Sequence, residues 1–404
     1  MIVAYRCAVC GAAVDVRTPF PWRCPNATLA DPHHVLHLVQ DAELAEEIDD
    51  PNPFVRFGPR MAWWAFARAN GMSEDDCIEL TRRVASRFEV TPLQRSAELS
   101  ELTPAEVWVK DETGNVAGSH KARHLTGVLA HLLAAEQLGL LAERPPLAIA
   151  SCGNAAIAAA TLAHMVDWPL DVFVPTWMSD EVGLLLDSLG ARIHRCERRS
   201  EDPPGDPAML RFREAVAGGA VPFSVQGPEN ALCLDSGRTI GWELDAQLVD
   251  AGAAGGWRVI VQVGGGALAA CVGAGLGSHV QLDTVQAEGC APLAAAWSRI
   301  TDLDHPERHW SHVMRPWPDP HSLADGILDD ETYDWIADVA MMVASGGSPI
   351  VAQEANIRRA HELATAAGYD VSATGSAGLA GLLTIAGQLR PEHRAIVIMS
   401  GVAR

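Results

Sequence analysis

The chain lacks a basic surplus. Its 30 lysines and arginines face 51 aspartates and glutamates, for a net charge of -21. Nucleic acid and anionic membrane both need clustered positive charge, so neither is expected as a partner. No basic segment followed by an apolar stretch opens the sequence, so no secretory signal is read. No apolar run free of charge and glycine reaches the length of a membrane span. The nine cysteines are odd in number and mostly scattered. That argues against a disulfide framework and for reduced thiols, and a cytoplasmic location is expected. No repeat recurs at a fixed period. What is present is a 404-residue chain with 48% hydrophobic residues, enough for two ordinary domains and an appendage.

Residues 1–50 differ from the rest. They carry Cys7-x2-Cys10, then Cys24-Pro25, then Asp31 with His33, His34 and His37, and helical periodicity is poor. They read as a small knuckle-like appendage. Residues 51–72, with Pro51, Pro53, Pro59 and the Met61-Ala-Trp-Trp64 cluster, read as an arm packed on the main body. From about residue 100 short apolar runs alternate with helical stretches. Strands are predicted over 107–110, 147–150, 170–175, 191–196, 259–263, 284–287 and 395–399. Helices are predicted over 120–138, 154–165 and 179–189, the last stopped by Gly190, and an alanine-rich helix follows the strand at 259–263. The charged, proline-rich stretch 198–207 reads as an exposed loop. This alternation predicts an α/β chain with parallel sheets covered by helices on both faces. In such sheets ligands collect at the carboxyl ends of the strands.

Four runs follow predicted strands: Gly118-Ser-His-Lys-Ala-Arg123, Ser151-Cys-Gly-Asn-Ala155, Gly264-Gly-Gly-Ala-Leu268 and Met399-Ser-Gly-Val402. Together they supply what pyridoxal phosphate needs: an amine for its aldehyde, a partner for its ring oxygen, a cradle for its phosphate and a hydroxyl for its ring nitrogen. Lys121 opens an apolar helix, where burial and the helix dipole lower an amine pKa; otherwise it is a surface lysine in a first turn. Asn154 is either the donor to the ring oxygen or a helix N-cap. The amides of Ser151, Cys152, Gly153, Asn154 and Ala155 suit a carboxylate at a helix start. Gly264, Gly265, Gly266 and Ala267 let several amides converge on a phosphate, or form a tight strand–helix turn. A dinucleotide fingerprint is disfavoured there, for lack of a later glycine in register. Ser400 would keep a ring nitrogen largely unprotonated, or is an ordinary turn serine.

Residues 88–404 resemble fold-type II pyridoxal-phosphate enzymes: threonine synthase, serine/threonine dehydratase, cysteine synthase and the tryptophan synthase β chain. Lys110-Asp-Glu112, Ser119-His-Lys-Ala-Arg123, Gly153-Asn154, Thr239-Ile-Gly-Trp-Glu243 and Val285-Gln-Ala-Glu-Gly289 carry the likeness to threonine synthases. The resemblance implies two doubly wound open-sheet subdomains within 51–404, of the tryptophan synthase β-like fold, with the cofactor between them. It also implies that Lys121 bonds the cofactor and then acts as general base on a small amino-acid substrate, in a homodimer. Three departures stand out. His120 replaces the usual Phe, as in the tryptophan synthase β chain. Thr374-Gly-Ser-Ala377 stands where many relatives have Glu-Pro-x-Ser-Ala. The triple glycine is closer to that of the dehydratases. A threonine synthase-like lyase is the first expectation. A serine/threonine ammonia-lyase and a cysteine synthase-like replacement enzyme are the alternatives, and the intact Lys121 argues against a merely cofactor-binding regulator.

Some threonine synthase-like proteins carry a zinc ribbon ahead of this body. Cys7 and Cys10 have knuckle spacing and Cys24 begins a second knuckle, but Ala27 stands where a fourth cysteine would fall. His33 or His34 would replace it, and the expected set is Cys7, Cys10, Cys24 and His34. The other reading is a ribbon that has lost its metal.

Overall fold

A computed structural model describes residues 1–404 apart from 29, 204, 253–254 and 301–302. Among the described residues the strands form three sheets. The largest has six, in the spatial order Pro349–Ala352, Gln281–Ala287, Trp257–Gln262, Arg394–Met399, Glu106–Asp111 and Leu93–Arg95. A second has four parallel strands, in the order Arg192–Cys196, Leu170–Pro175, Leu147–Ala150 and Val221–Pro222. In sequence this smaller sheet is inserted between two strands of the larger one. Arg394–Met399, the last strand, lies at the centre of the large sheet, between Trp257–Gln262 and Glu106–Asp111. The carboxyl ends of these three neighbours therefore lead into the Ser400 turn, the triple glycine and the Lys121 run side by side.

The predicted strands and helices are present, with ends shifted by up to three residues. One expectation needs correction: the large sheet is mixed, because Leu93–Arg95 pairs antiparallel with Glu106–Asp111. The link between them holds only the four-residue helix Ala97–Ser100. That is too short for the crossover a parallel neighbour needs. The central strands are nearly continuous apolar runs, as burial on both faces requires; Arg394–Met399 is buried from Ala395 onward.

Helix Lys121–Gln137 differs from an ordinary surface helix. Leu125, Val128, Leu129, Leu132 and Leu133 are buried as expected, each contributing about 1.5–3 kcal/mol over exposure. Arg123, His124, Thr126 and His131 are buried too, so the helix has core on all sides. The arm enters the same core: Phe54, Phe57, Trp63, Trp64 and Phe66 are buried, on helices Pro53–Arg56 and Ala62–Ala69 and between them. Residues Ile2–Cys7, Ala13–Asp15 and Leu36–Gln40 form the third sheet, antiparallel, and Ile2, Tyr5 and Leu36 join that core. Residues 197–206, of which 204 lies outside the described residues, carry no helix or strand. No helix of the described residues is long and apolar enough to cross a membrane.

Candidate active site

Lys121 is delivered by a loop pinned to the end of the central strand. The His120 amide donates to Ser400 O at 3.0 Å, the Val402 amide to Gly118 O at 3.0 Å, and Ser119 bridges Gly401. Ala117 and Gly118 both have positive φ, 59° and 68°, which turns the chain into the helix. Burial pushes the Lys121 amine below its ordinary value, while Asp329, Cys233 and Asp334 push it back. Lys110 and Lys121 are the only two lysines of the chain. The Lys110 ammonium donates to Thr91 O at 2.8 Å, Glu243 Oε2 at 2.7 Å and Gln247 Oε1 at 3.0 Å, using all three protons. Lys121 makes no hydrogen bond among the described residues, so it is the lysine free to react. The lysine count alone narrows the choice to two.

Two residues on, Arg123 anchors the helix. Its guanidinium donates twice to Glu112, at 2.8 and 3.0 Å, and twice to Glu243, at 2.5 and 3.1 Å. All four charged side chains, Lys110 included, are buried. Three of the five segments that resemble threonine synthases are thus parts of one ion network, tying strand Glu106–Asp111 and helix Thr239–Asp250 to the lysine helix.

Ser400 Oγ accepts from Gln262 Nε2 at 2.8 Å. Its own proton is then left to donate. Gln262 Nε2 also points at the carbonyls of Gly375 and Ile398, which fixes its orientation. Asn154 is not a cap: Gly153 holds the N-cap position of helix Asn154–Met165, with no side-chain cap. Instead Asn154 Oδ1 accepts from Arg404 Nε at 2.8 Å, which leaves Nδ2 as the free donor. The uncapped amides at this helix start suit a carboxylate. Gly266, at φ 106°, is the equally uncapped start of helix Ala267–Leu276. A Cβ at Gly264 would lie 2.5 Å from Asp329 Oδ2 and 2.9 Å from Ile327 Cα, so glycine is required there.

Several residues here carried no motif: Gln262, Arg404, Asp329, Asp334 and His124. His120 Nδ1 donates to Ser400 O at 3.0 Å and His124 Nδ1 to Cys233 O at 2.9 Å. Burial holds both rings neutral, so each buried Nε2 is a lone-pair acceptor, and neither has a partner.

In the appendage, ligand atoms of Cys7, Cys10, Cys24 and His34 all lie within 4.8 Å of one another. Cys7 Sγ is 3.4 Å from His34 Nδ1, and the Cys10 and Cys24 sulfurs are 3.6 Å apart. Asp31 takes the other ring nitrogen of His34 at 3.2 Å. His33 is turned away and stacks on Trp310.

The model of the family described as pyridoxal-phosphate dependent enzyme matches residues 58–401, and the chain belongs to that family. Similar solved structures include maize serine racemase, with TM-score 0.63 and 17% identity over 81% of this chain and 92% of that one. The threonine deaminase of the organism abbreviated T.th. has TM-score 0.64 and 22% identity over 82% and 98%. Diaminopropionate ammonia lyase from Escherichia coli has TM-score 0.64 and 16% identity over 82% and 89%. No curated protein matches the sequence. These structures share the fold-type II architecture; at such identities they carry the fold, and activity must be argued from the site.

Proposed function

We propose that the chain is a lyase that removes water from a small hydroxy amino acid, releasing ammonia and a keto acid. The reading rests on Lys121, a desolvated amine with no hydrogen-bond partner, on the loop that the His120 amide pins to Ser400 O. The residues fit the family's cofactor. Lys121 would hold its aldehyde, the amides of Gly264–Ala267 its phosphate, Ser400 Oγ its ring nitrogen and Asn154 Nδ2 its ring oxygen. The buried Ser119 Oγ and His120 Nε2, both without partners, are further polar groups beside it. When bound, the cofactor supplies an aldehyde for the substrate amine and a ring that takes up the electrons left by the α-proton.

The chain's own residues do the rest. Amides of Ser151–Ala155 hold the substrate carboxylate. Lys121 would act as the base on the α-proton; its lowered pKa raises the neutral fraction available for that role. Ser400, a hydroxyl that donates a hydrogen bond without giving up its proton, would leave a ring nitrogen held there neutral. The threonine synthase-like reading shares these steps but needs a further cationic set for a phosphorylated substrate. The guanidinium beside Asn154, that of Arg404, is already engaged with Asn154 and Ala117 O. Incubation with L-serine, L-threonine and O-phosphohomoserine tests the choice. Keto acid without phosphate release supports the ammonia-lyase, and phosphate release with threonine overturns it.

For residues 1–50 we propose a zinc-holding appendage, ahead of a catalytic region spanning 51–404. Three thiolates and an imidazole are a zinc donor set. Bonds of about 2.3 Å in a tetrahedron put sulfurs about 3.8 Å apart, close to the 3.6 Å between Cys10 and Cys24. Asp31 orients His34 in the manner of an outer-shell carboxylate. Metal analysis of the native protein tests this, and a metal-free result would end it.

A further inference from the structure

The wall of the glycine cup is acidic, an unusual lining for a phosphate. Asp329 Oδ2 lies against Gly264, and the Gly265 amide faces its carboxyl. Asp334 Cβ and Asp338 Oδ2 both lie against Gly266. Asp334 and Asp338 are 1% and 0% exposed. Asp334 Oδ2 accepts from the Gly227 amide at 3.3 Å and Asp334 Oδ1 has no partner, while the Asp338 carboxyl faces the Ala270 amide. Resting on the cofactor assignment above, we propose that Asp334 and Asp329 bind the phosphate as neutral acids, so that the ligand enters together with protons.

The charges around them allow little else. Lys121 is the cation that faces both carboxyls. Arg213 is paired with Glu229, and in this wall its charge acts on the neighbouring Glu331 and Tyr333. His120 and His124 are neutral through burial, as are the thiols of Cys233 and Cys271. Asp330 adds a further negative charge beside Asp329, and burial pushes the Asp338 carboxyl well above the usual carboxylate range. Two ionised carboxylates and a phosphate dianion in one buried site would repel one another, the pressure that makes paired carboxyls share a proton. As neutral acids each turns from repelling the anion to donating a hydrogen bond to it, and Asp334 Oδ1 is the oxygen left for that proton. Burial already raises Asp334 to about 7 and Asp329 to about 6, so protonation near neutral pH requires only a modest further shift.

The test is titration calorimetry of the full-length, cofactor-free protein with pyridoxamine 5′-phosphate, which bears the phosphate but no aldehyde. It is run between about pH 6.5 and about pH 9, in two buffers of different ionisation heat. Affinity should fall at least about tenfold per pH unit above about pH 7, with matching proton uptake. Asp334→Asn and Asp329→Asn should each take about one proton from that count and flatten the slope. Affinity independent of pH in the wild type would overturn the proposal without need of any variant. So would proton uptake unchanged in both variants, since the proton would then ride on the phosphate itself, whose second ionisation lies near 6. Binding at no pH would overturn the cup's phosphate assignment as well, which separates the two failures.

Discussion

Replacing Arg123 with methionine tests the network that holds the reactive lysine. The substitution keeps most of the side chain's volume and removes its charge. In the native chain two cations, Lys110 and Arg123, face two anions, Glu112 and Glu243, all buried. The variant leaves a net negative charge there. It also strips Glu112 and Glu243 of two hydrogen bonds each, and Thr239 Oγ1 and Thr91 Oγ1 of one each. Breaking one side of a buried ion pair costs about 3–5 kcal/mol. That corresponds to a folded-to-unfolded ratio lowered roughly two-hundred- to five-thousand-fold. Urea unfolding followed by fluorescence reads this well, because the chain has 12 tryptophans and Trp242 lies one residue from Glu243. Glu112→Gln in the same chain restores neutrality, so the double variant should recover at least about 1 kcal/mol relative to the sum of the single losses. A single-variant loss below about 1 kcal/mol, or strict additivity in the double, would refute the reasoning.

Lys121→Ala should abolish the visible absorbance of bound cofactor, and borohydride reduction of the wild type should label Lys121 and leave Lys110 unlabelled; label on Lys110 would reverse the assignment. Gly264→Ala should weaken cofactor affinity about ten- to a hundredfold, since its Cβ meets Asp329 Oδ2 at 2.5 Å and the Ile327 backbone at 2.9 Å; unchanged affinity in a spectral titration would mean the cup is looser than described. Cys7→Ser should release zinc and lower the melting temperature, while a native protein whose melting is indifferent to chelators would exclude a structural metal. Relative to Asp334→Asn, the cofactor-free protein should lose stability as pH rises from about 4 to about 7. In that window the raised Asp334 holds a proton in the folded state that the unfolded chain has lost, so its contribution to stability falls as pH rises. The buried neutral imidazoles of His37, His124 and His131 act in the opposite sense in both proteins and cancel in the comparison. The relative loss amounts to up to about 4 kcal/mol; a difference between the two proteins that does not change with pH would assign the effect to other groups.

The regular elements were legible because local pattern governs them. Asn154–Met165 and Leu170–Pro175 fall where periodicity and turn residues put them. The antiparallel edge Leu93–Arg95 was missed because three residues, one of them half-buried and two exposed, leave no pattern to read. Lys121, the triple glycine and Ser400 were visible as runs after strands. Asn154 read equally as a cap, and only folding, which puts Gly153 at the N-cap position and Arg404 on Asn154 Oδ1, sets that reading aside. The acidic wall was invisible because Asp329, Asp334 and Asp338 lie far along the chain from the glycines they surround.

The sequence by itself determined the α/β alternation, the position of Lys121 at a helix start, the triple glycine after a strand and the spacing of Cys7, Cys10 and Cys24, while only the structure chose His34 over His33. These depend on residue type and spacing, which are local properties. Tertiary structure alone decided which lysine stands free, how Gln262 turns the Ser400 hydroxyl, and that carboxylates rather than cations wall the cup. Protonation and hydrogen-bond direction are set by burial and by neighbours brought together only on folding.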